Sequence, residues 1–329
     1  MTSLPRVLII AGLTASGKTD LALSIARQLP AVDIISADSR QFYQGPRLIS
    51  GQDVPSGFTR ATSSDIHYTD QPAVYFHSDH IRLWAVDQLP PDQILNLSDY
   101  VDFVWQIIDQ AIKDRRSVII VGGTGLYLKA ISQPLNRLSH PPDLQLRQQL
   151  DQLDVDQLQQ RLRRLDPDWL DRLNHSDRHN PRRLIRAIEV SSGVEQGTGS
   201  SSRQPVEFRW LGLKPDLSTL EDKIHARVLK RLDQGALDEV KSLLKNYSPD
   251  LPALSALGIK YIRQYLNKDI DRDKMIELWT QQELSYAKDQ WTWFKKQPHV
   301  IWYDENTDRQ QLTRQTSAWL TNHDCQEEN

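Results

Sequence analysis

A single cysteine, Cys325, stands among 329 residues, and it lies in a polar tail. One thiol excludes a disulfide framework and a cysteine-rich zinc finger. It fits a reducing cytoplasm. Long hydrophobic runs are also lacking, and nothing reaches the ~18 apolar residues of a membrane span. The opening MTSLPRVLIIAGLTASGKT has a short apolar run broken at once by Gly and Lys, so it reads as a buried strand and not as a signal peptide. Charge of one sign does not dominate, because 40 Lys+Arg against 43 Asp+Glu leave a formal net charge of -3. The whole molecule is therefore no electrostatic attractor for nucleic acid, and such a partner must be held by a local basic patch. No internal repeat is visible. What is present is an ordinary globular composition, 39% hydrophobic and 25% charged, long enough for one large domain or two unequal ones.

Residues 7–11 form a compact apolar run and read as a central parallel strand. Residues 21–29 predict a helix stopped by Pro30, and residues 32–36 a second buried strand. Residues 44–80 are rich in Gly, Pro, Ser and Thr without clear periodicity, which predicts a long loop region. Residues 99–113 predict an amphipathic helix with Val101, Val104, Trp105, Ile108 and Ile112 on one face. A third strand at 118–121 ends in the turn Gly122-Gly123-Thr124-Gly125. This order predicts an α/β fold with a parallel sheet and helices on both faces. Ligands of such sheets bind at the carboxyl ends of the strands.

After Pro134 the pattern turns helical, over 144–165 and 181–190. Residues 191–204 read as a flexible linker, and strand character returns at 206–213. The chain is thus expected to carry a first core part at 1–133, a helical insertion domain at 134–190, and a mostly helical second core part at 191–329. In the last part helices are expected at 218–235, opened by a Ser-x-x-Glu capping box, and at 237–245, 254–266 and 274–296. Residues from about Thr321 onward are expected to fray.

The run Gly12-Leu13-Thr14-Ala15-Ser16-Gly17-Lys18-Thr19 matches the P-loop pattern G-x-x-x-x-G-K-[ST] in full, between an expected strand and helix. Its backbone N–H groups and helix N-terminus suit phosphate oxygens, Lys18 adds positive charge, and Thr19 is a candidate Mg2+ ligand. The motif specifies a polyphosphate or pyrophosphate, not a reaction. Asp38, just past the second strand, could be a general base, an Mg2+ anchor or a turn cap. The two glycines before Thr124 would allow close approach to a ligand, or simply make a tight turn. Between Arg161 and Arg186 stand eight Arg against four Asp. Within that run Arg182, Arg183 and Arg186 could hold a phosphate backbone or line a solvated helix face. Trp279, Tyr286 and Trp293 recur every seven residues and are expected in a core, while Lys288, Lys295 and Lys296 could face nucleic acid.

The segments GLTASGKT, ADSRQFYQG, NLSDYVDF, VGGTGLYLKA, RHNPRRLIRAIEV, RVLKRLDQGALDEV, PALSALGIKYI and AKDQWTWFKK together resemble the tRNA dimethylallyltransferase family, in order and spacing, over nearly the whole chain. The resemblance implies a P-loop NTPase-like parallel-sheet core with a helical insertion. It implies transfer of a dimethylallyl group from dimethylallyl diphosphate to N6 of adenosine 37, with Mg2+ as cofactor. The implied partner is the tRNA anticodon stem-loop, met by a cytoplasmic monomer. Asp38, Thr14 and Thr124 would be catalytic. Gly12, Thr14, Ala15, Ser16, Gly17, Lys18, Thr19 and Arg227 would hold the diphosphate, with Thr19 on the metal. Asp38, Ser39, Arg40, Gln41, Arg147, Arg182, Arg183, Arg186, Lys260, Lys288 and Lys295 would meet tRNA. The chemistry is coherent. An allylic diphosphate ionises when its leaving group is stabilised, and a carboxylate can take the proton of a weakly nucleophilic exocyclic amine. The target base must also leave its stack.

The chain departs from the family pattern in places. Leu13 replaces a proline. The family run Asp-Ile-Gly-Thr-x-Lys-Pro reads Leu48-Ile49-Ser50-Gly51-Gln52-Asp53-Val54-Pro55 here, without the lysine, and a His-His-Leu-Ile-Asp run reads Leu83-Trp84-Ala85-Val86-Asp87. Two family arginines are replaced by Leu284 and Asp289. Restoring both is expected to tighten tRNA binding. Three other functions stay open: an adenylate isopentenyltransferase acting on free nucleotides, a P-loop small-molecule kinase, and a non-catalytic homologue that holds RNA or diphosphate. Intact Lys18, Thr19, Asp38 and Thr124 speak against the last.

Overall fold

The computed structural model describes residues 4–133, 143–193, 203–214, 216–304 and 307–321. Cys325, the tail expected to fray and most of the expected linker lie outside the described residues. Two compact units are present: residues 1–133 with 204–329, and residues 134–203.

Strand β1 (Arg6–Gly12) is buried from Val7 onward, as an apolar run covered on both faces must be. Helix α1 (Lys18–Ala26) starts inside the P-loop motif, earlier than its apolar residues suggested. Next come β2 (Val32–Ser36) and a single turn, α2 (Arg47–Ser50). The expected loop at 44–80 is overturned. It holds β3 (Thr59–Tyr68) and β4 (Gln71–Ser78), followed by β5 (Ile81–Trp84). The first two pair antiparallel, with a register shift between Thr62 and His67. There Ser63 Oγ accepts the N–H groups of Asp65 and Ile66. Strand β3 lies at the sheet edge and exposes most of its Thr and Ser side chains. Such a strand carries little apolar alternation, and the irregular turn breaks what there is. Helix α3 (Leu97–Lys113), strand β6 (Ser117–Gly122) and helix α4 (Gly125–Ser132) complete the first half.

The second unit contains α5 (Leu144–Leu150), α6 (Val155–Leu165), α7 (Pro167–Arg172), α8 (His175–Arg178) and α9 (Pro181–Ser192). The expected continuous helix at 144–165 is split, because Asp154 and Gln157 make a capping box that starts a new one. Leu150, Leu158, Leu162, Leu170, Leu184 and Ile188 form its small core.

The remainder of the first unit runs β7 (Glu207–Leu213), α10 (Leu220–Asp233), α11 (Ala236–Asn246), a 3-10 turn at Pro252–Ser255, α12 (Ile259–Leu266), α13 (Arg272–Phe294), β8 (Val300–Tyr303) and α14 (Arg309–Thr321). The expected helix at 254–266 is interrupted at Gly258, which caps α12. The expected capping box at Ser218 does not form: its hydroxyl donates to Asp216 at 2.6 Å, and Thr219 opens α10 without a side-chain cap.

The sheet order is β3-β4-β5-β2-β6-β1-β7-β8. Pairing is parallel from β5 to β8 and antiparallel at β3–β4 and β4–β5. Strands β2, β6 and β1 are therefore neighbours that end on the same edge. Their ends carry Asp38, the Gly122–Thr124 loop and the P-loop.

Candidate active site

The P-loop is bent by two left-handed residues, Ala15 (φ 59) and Gly17 (φ 78), the second capping α1. Such a bend at a helix start turns backbone N–H groups toward an anion. Leu13 is fully buried against Leu220, Ile224 and Ala287, with Leu284 and Trp291 packed on the same cluster. The replacement of proline at 13 thus comes with an apolar seat. Lys18 is half-buried, yet its ammonium turns inward and donates to the Leu13 carbonyl. Burial, reinforced by Arg227 and opposed by Asp38, brings its pKa down to about 7. Arg227, on α10, donates to Thr14 Oγ1 and stands 3.8 Å from Asp53.

Asp38 follows β2. Its Oδ1 accepts the Arg40 N–H at 2.9 Å, so the turn-cap reading of this residue is correct as far as it goes. Oδ2 makes no hydrogen bond among the described residues. The Asp38 charge is felt by Lys18, Tyr100, Tyr127 and Tyr286. Tyr100 is buried and donates to the Ser36 carbonyl at 2.7 Å, and the Tyr127 ring lies 4.6 Å from it. Burial first, with Asp38 adding to it, pushes Tyr127 and Tyr286 up to about 12 and Tyr100 well above the usual phenol range. At neutral pH these phenols are uncharged, and Asp38 is the group among them able to take a proton.

Thr124 opens α4 but its hydroxyl does not cap it. Its side chain and that of Gln290 both bear on the Tyr286 phenol, while the Thr124 N–H donates to the Ala37 carbonyl at 3.3 Å. The glycines beside it pack closely against neighbouring side chains. A Cβ on Gly123 would lie 2.3 Å from Gln290 Nε2, and one on Gly125 would lie 2.3 Å from the Trp293 ring. Both partners are on α13. Of the seven-residue aromatic series, only Trp279 is core, where its Nε1 and Arg231 both donate to the buried Glu283 carboxylate. Tyr286 is 38% exposed, with its hydroxyl turned in toward Thr124. Gln290 was not singled out from the sequence. The signal was there, since 286, 290 and 293 share one helix face at i, i+4 and i+7.

The other candidates are placed unevenly. Arg40 donates to the Pro252 carbonyl. The Gln41 amide is engaged internally: Oε1 accepts from Ser36 Oγ and Nε2 donates to the Gly51 carbonyl, both at 2.6 Å. Ser39 is half-buried, and Lys260, Lys288 and Lys295 are exposed. Asp289 is exposed, whereas Leu284 packs on the cluster under Leu13. An arginine at 284 would push charge into that cluster, so the expected gain from Leu284→Arg is withdrawn. Within the second unit Arg147 makes two bonds to Glu189, at 2.6 and 3.0 Å, and Arg186 one at 3.2 Å. Glu189 is only 5% exposed. Arg183 is exposed and pairs with Asp177, and Arg182 is exposed.

Fold and site together define a P-loop α/β enzyme in which a lysine-bearing anion loop faces a carboxylate. Comparison with known proteins narrows this. A family model described as IPP transferase matches residues 74–297. The chain is 31% identical to a tRNA dimethylallyltransferase of Natranaerobius thermophilus, over 93% of this chain and 89% of that one. It is 32% identical to one of Acaryochloris marina, over 91% and 93%. A solved tRNA isopentenylpyrophosphate transferase from Bacillus halodurans is 25% identical, with 97% and 96% of the chains covered and a TM-score of 0.65. A eukaryotic dimethylallyltransferase acting on tRNA shares the fold, with a TM-score of 0.76 at 19% identity over 98% of this chain and 81% of that one. The chain belongs to the IPP transferase family. Among the described residues no helix is long and apolar enough to cross a membrane.

Proposed function

We propose that this protein transfers the dimethylallyl group of dimethylallyl diphosphate to N6 of adenosine 37 in the tRNA anticodon loop. The observation that carries the reading is the convergence of the P-loop lysine and Asp38, close enough for Asp38 to bear on the charge of Lys18. The C1–O bond of the allylic diphosphate breaks and pyrophosphate leaves with the electron pair. Lys18, Arg227 and the N–H groups of residues 15–19 stabilise that developing charge. The N6 amine forms the new bond to C1, and its proton passes to Asp38. Neutral phenols at Tyr127 and Tyr286 suit this step, because a phenolate there would compete for the allyl cation.

Mg2+ fits the residues present. Among the described residues no group of three or more His, Cys, Asp or Glu could hold a metal unaided. Thr19, exposed at the start of α1, offers one hard oxygen, and Mg2+ characteristically draws its other ligands from substrate phosphates and water. Bound there it would neutralise charge on the diphosphate.

The insertion at 134–190 serves as the tRNA-contacting element, with Arg182 and Arg183 on phosphates. Neutralising both is expected to raise KM for tRNA, leave that for dimethylallyl diphosphate nearly unchanged, and lower the tRNA salt slope by about one unit for each phosphate no longer neutralised. Arg147→Ala should behave differently and lower the melting temperature, because it leaves Glu189 buried with less compensation. Salt titrations of tRNA binding with thermal melts separate the two. The function itself is tested with labelled dimethylallyl diphosphate offered tRNA or AMP. Label is expected in tRNA, and label in AMP alone would make the free-nucleotide enzyme the correct reading.

A further inference from the structure

We infer that Gln290 is a positioning residue which sets the separation between the leaving-group loop and the loop that presents Thr124. The inference rests on the proposed transfer reaction and goes beyond it. Gln290 is buried in α13, and both ends of its amide are used. Its Oε1 accepts the Thr14 N–H at 2.9 Å, and its Nε2 donates to the Gly123 carbonyl at 2.9 Å. One side chain thus ties residue 14 of the P-loop to residue 123, next to Thr124.

The contact geometry supports this independently. Gly123 has no room for a Cβ, and the atom in the way is Gln290 Nε2. Thr14 is held from two helices at once, its N–H by Gln290 on α13 and its hydroxyl by Arg227 on α10. One turn either side of Gln290, Tyr286 meets Thr124 and Trp293 covers Gly125. The face of α13 at 286, 290 and 293 therefore lies against Gly123, Thr124 and Gly125. Glutamine suits the central place because the bridge needs one acceptor and one donor on a planar group. A carboxylate supplies the first and not the second, and it would set charge against the Gly123 carbonyl. Protonated, a carboxylic acid supplies both again.

In the transfer reaction such a strut controls how closely C1 of the donor and N6 of the base approach. Loss of near-attack geometry shows in kcat, while each substrate still finds its own binding groups. Gln290→Glu is expected to lower kcat on tRNA by ~10²-fold, the scale of a 1 Å misplacement, with both KM values within about threefold of wild type. The ratio of variant to wild-type kcat should rise as pH falls, as the introduced carboxylate protonates and regains a donor. Gln290→Met keeps the volume, loses both bonds, and should show the same kcat loss without recovery at low pH. Both variants and wild type are assayed by single-turnover prenylation of tRNA, with thermal melts alongside. Either variant folding while keeping kcat within twofold overturns the inference, as does a loss confined to KM. Wild type failing to prenylate tRNA would instead remove the proposed function, so the two failures are distinct.

Discussion

Asp38→Asn is expected to lower kcat on tRNA by ~10² to 10⁴, the usual cost of removing a general base. The fold should survive, since asparagine keeps an oxygen for the Arg40 N–H that now bonds Oδ1. Asn cannot take the amine proton at neutral pH. The neighbouring phenols cannot replace it, because burial holds them in the acid form. Diphosphate affinity should change little. Asp38 favours the charged form of Lys18, so its loss works in the direction of a weaker anion site, but burial is the larger influence on that lysine. Asp38→Ala separates the two duties of the residue, for it removes the turn cap as well. If Ala costs further stability at the same kcat as Asn, the base and the cap are independent. A folded Asn variant retaining more than about half of wild-type kcat would sink the assignment.

The legible parts of this chain are those where burial and backbone demand agree. The run at 7–11 is apolar because β1 is covered by β6 and β7 on its edges and packed on both faces. The P-loop shows because glycine and lysine are needed at fixed offsets. Asp38 shows because it follows a strand. The antiparallel extension was missed for a physical reason: β3 sits at an edge, exposes polar side chains and is interrupted near Ser63, so neither periodicity nor a hydrophobic run betrays it. Strand β8 and helix α14 were missed as well, the strand having only four residues.

The site was legible as three loops that follow strands and so share one sheet edge, yet the side chain that links two of them was not. Sheet order brings β2, β6 and β1 together, and no local pattern announces that order. The link between them is a glutamine on a helix whose aromatics suggested a core. Arginine counts misled in a related way. Arg182, Arg183 and Arg186 read as one stripe, but in the folded unit Arg186 joins Arg147 on the buried Glu189, while Arg182 and Arg183 stay exposed. Composition counts charges and cannot tell which ones are already neutralised by burial partners.

Lys18→Ala is expected to lower kcat/KM for dimethylallyl diphosphate by ~10² to 10³, the scale of losing one charge-stabilising donor. The stronger test is in pH. In the free protein burial and Arg227 bring Lys18 down to about 7. A diphosphate against the ammonium supplies opposite charge and raises its pKa. The sign follows: above pH 7 the free protein has mostly lost this proton and the complex regains it, so binding takes up a proton. Below pH 7 the proton is already present and uptake vanishes. At pH 8 uptake should approach ~0.9 proton per diphosphate bound, and affinity should fall by up to about tenfold per pH unit above 7. The ligand's own phosphates are fully ionised by then and contribute little. Lys18→Arg holds a charge that does not titrate in this range, so its uptake at pH 8 should be near zero. Calorimetry in two buffers of different ionisation enthalpy measures the proton count directly. Equal heats in both buffers for the wild type at pH 8 would mean either that Lys18 is already charged in the free protein or that it does not meet the diphosphate, and the Lys18→Ala effect on kcat/KM tells these apart.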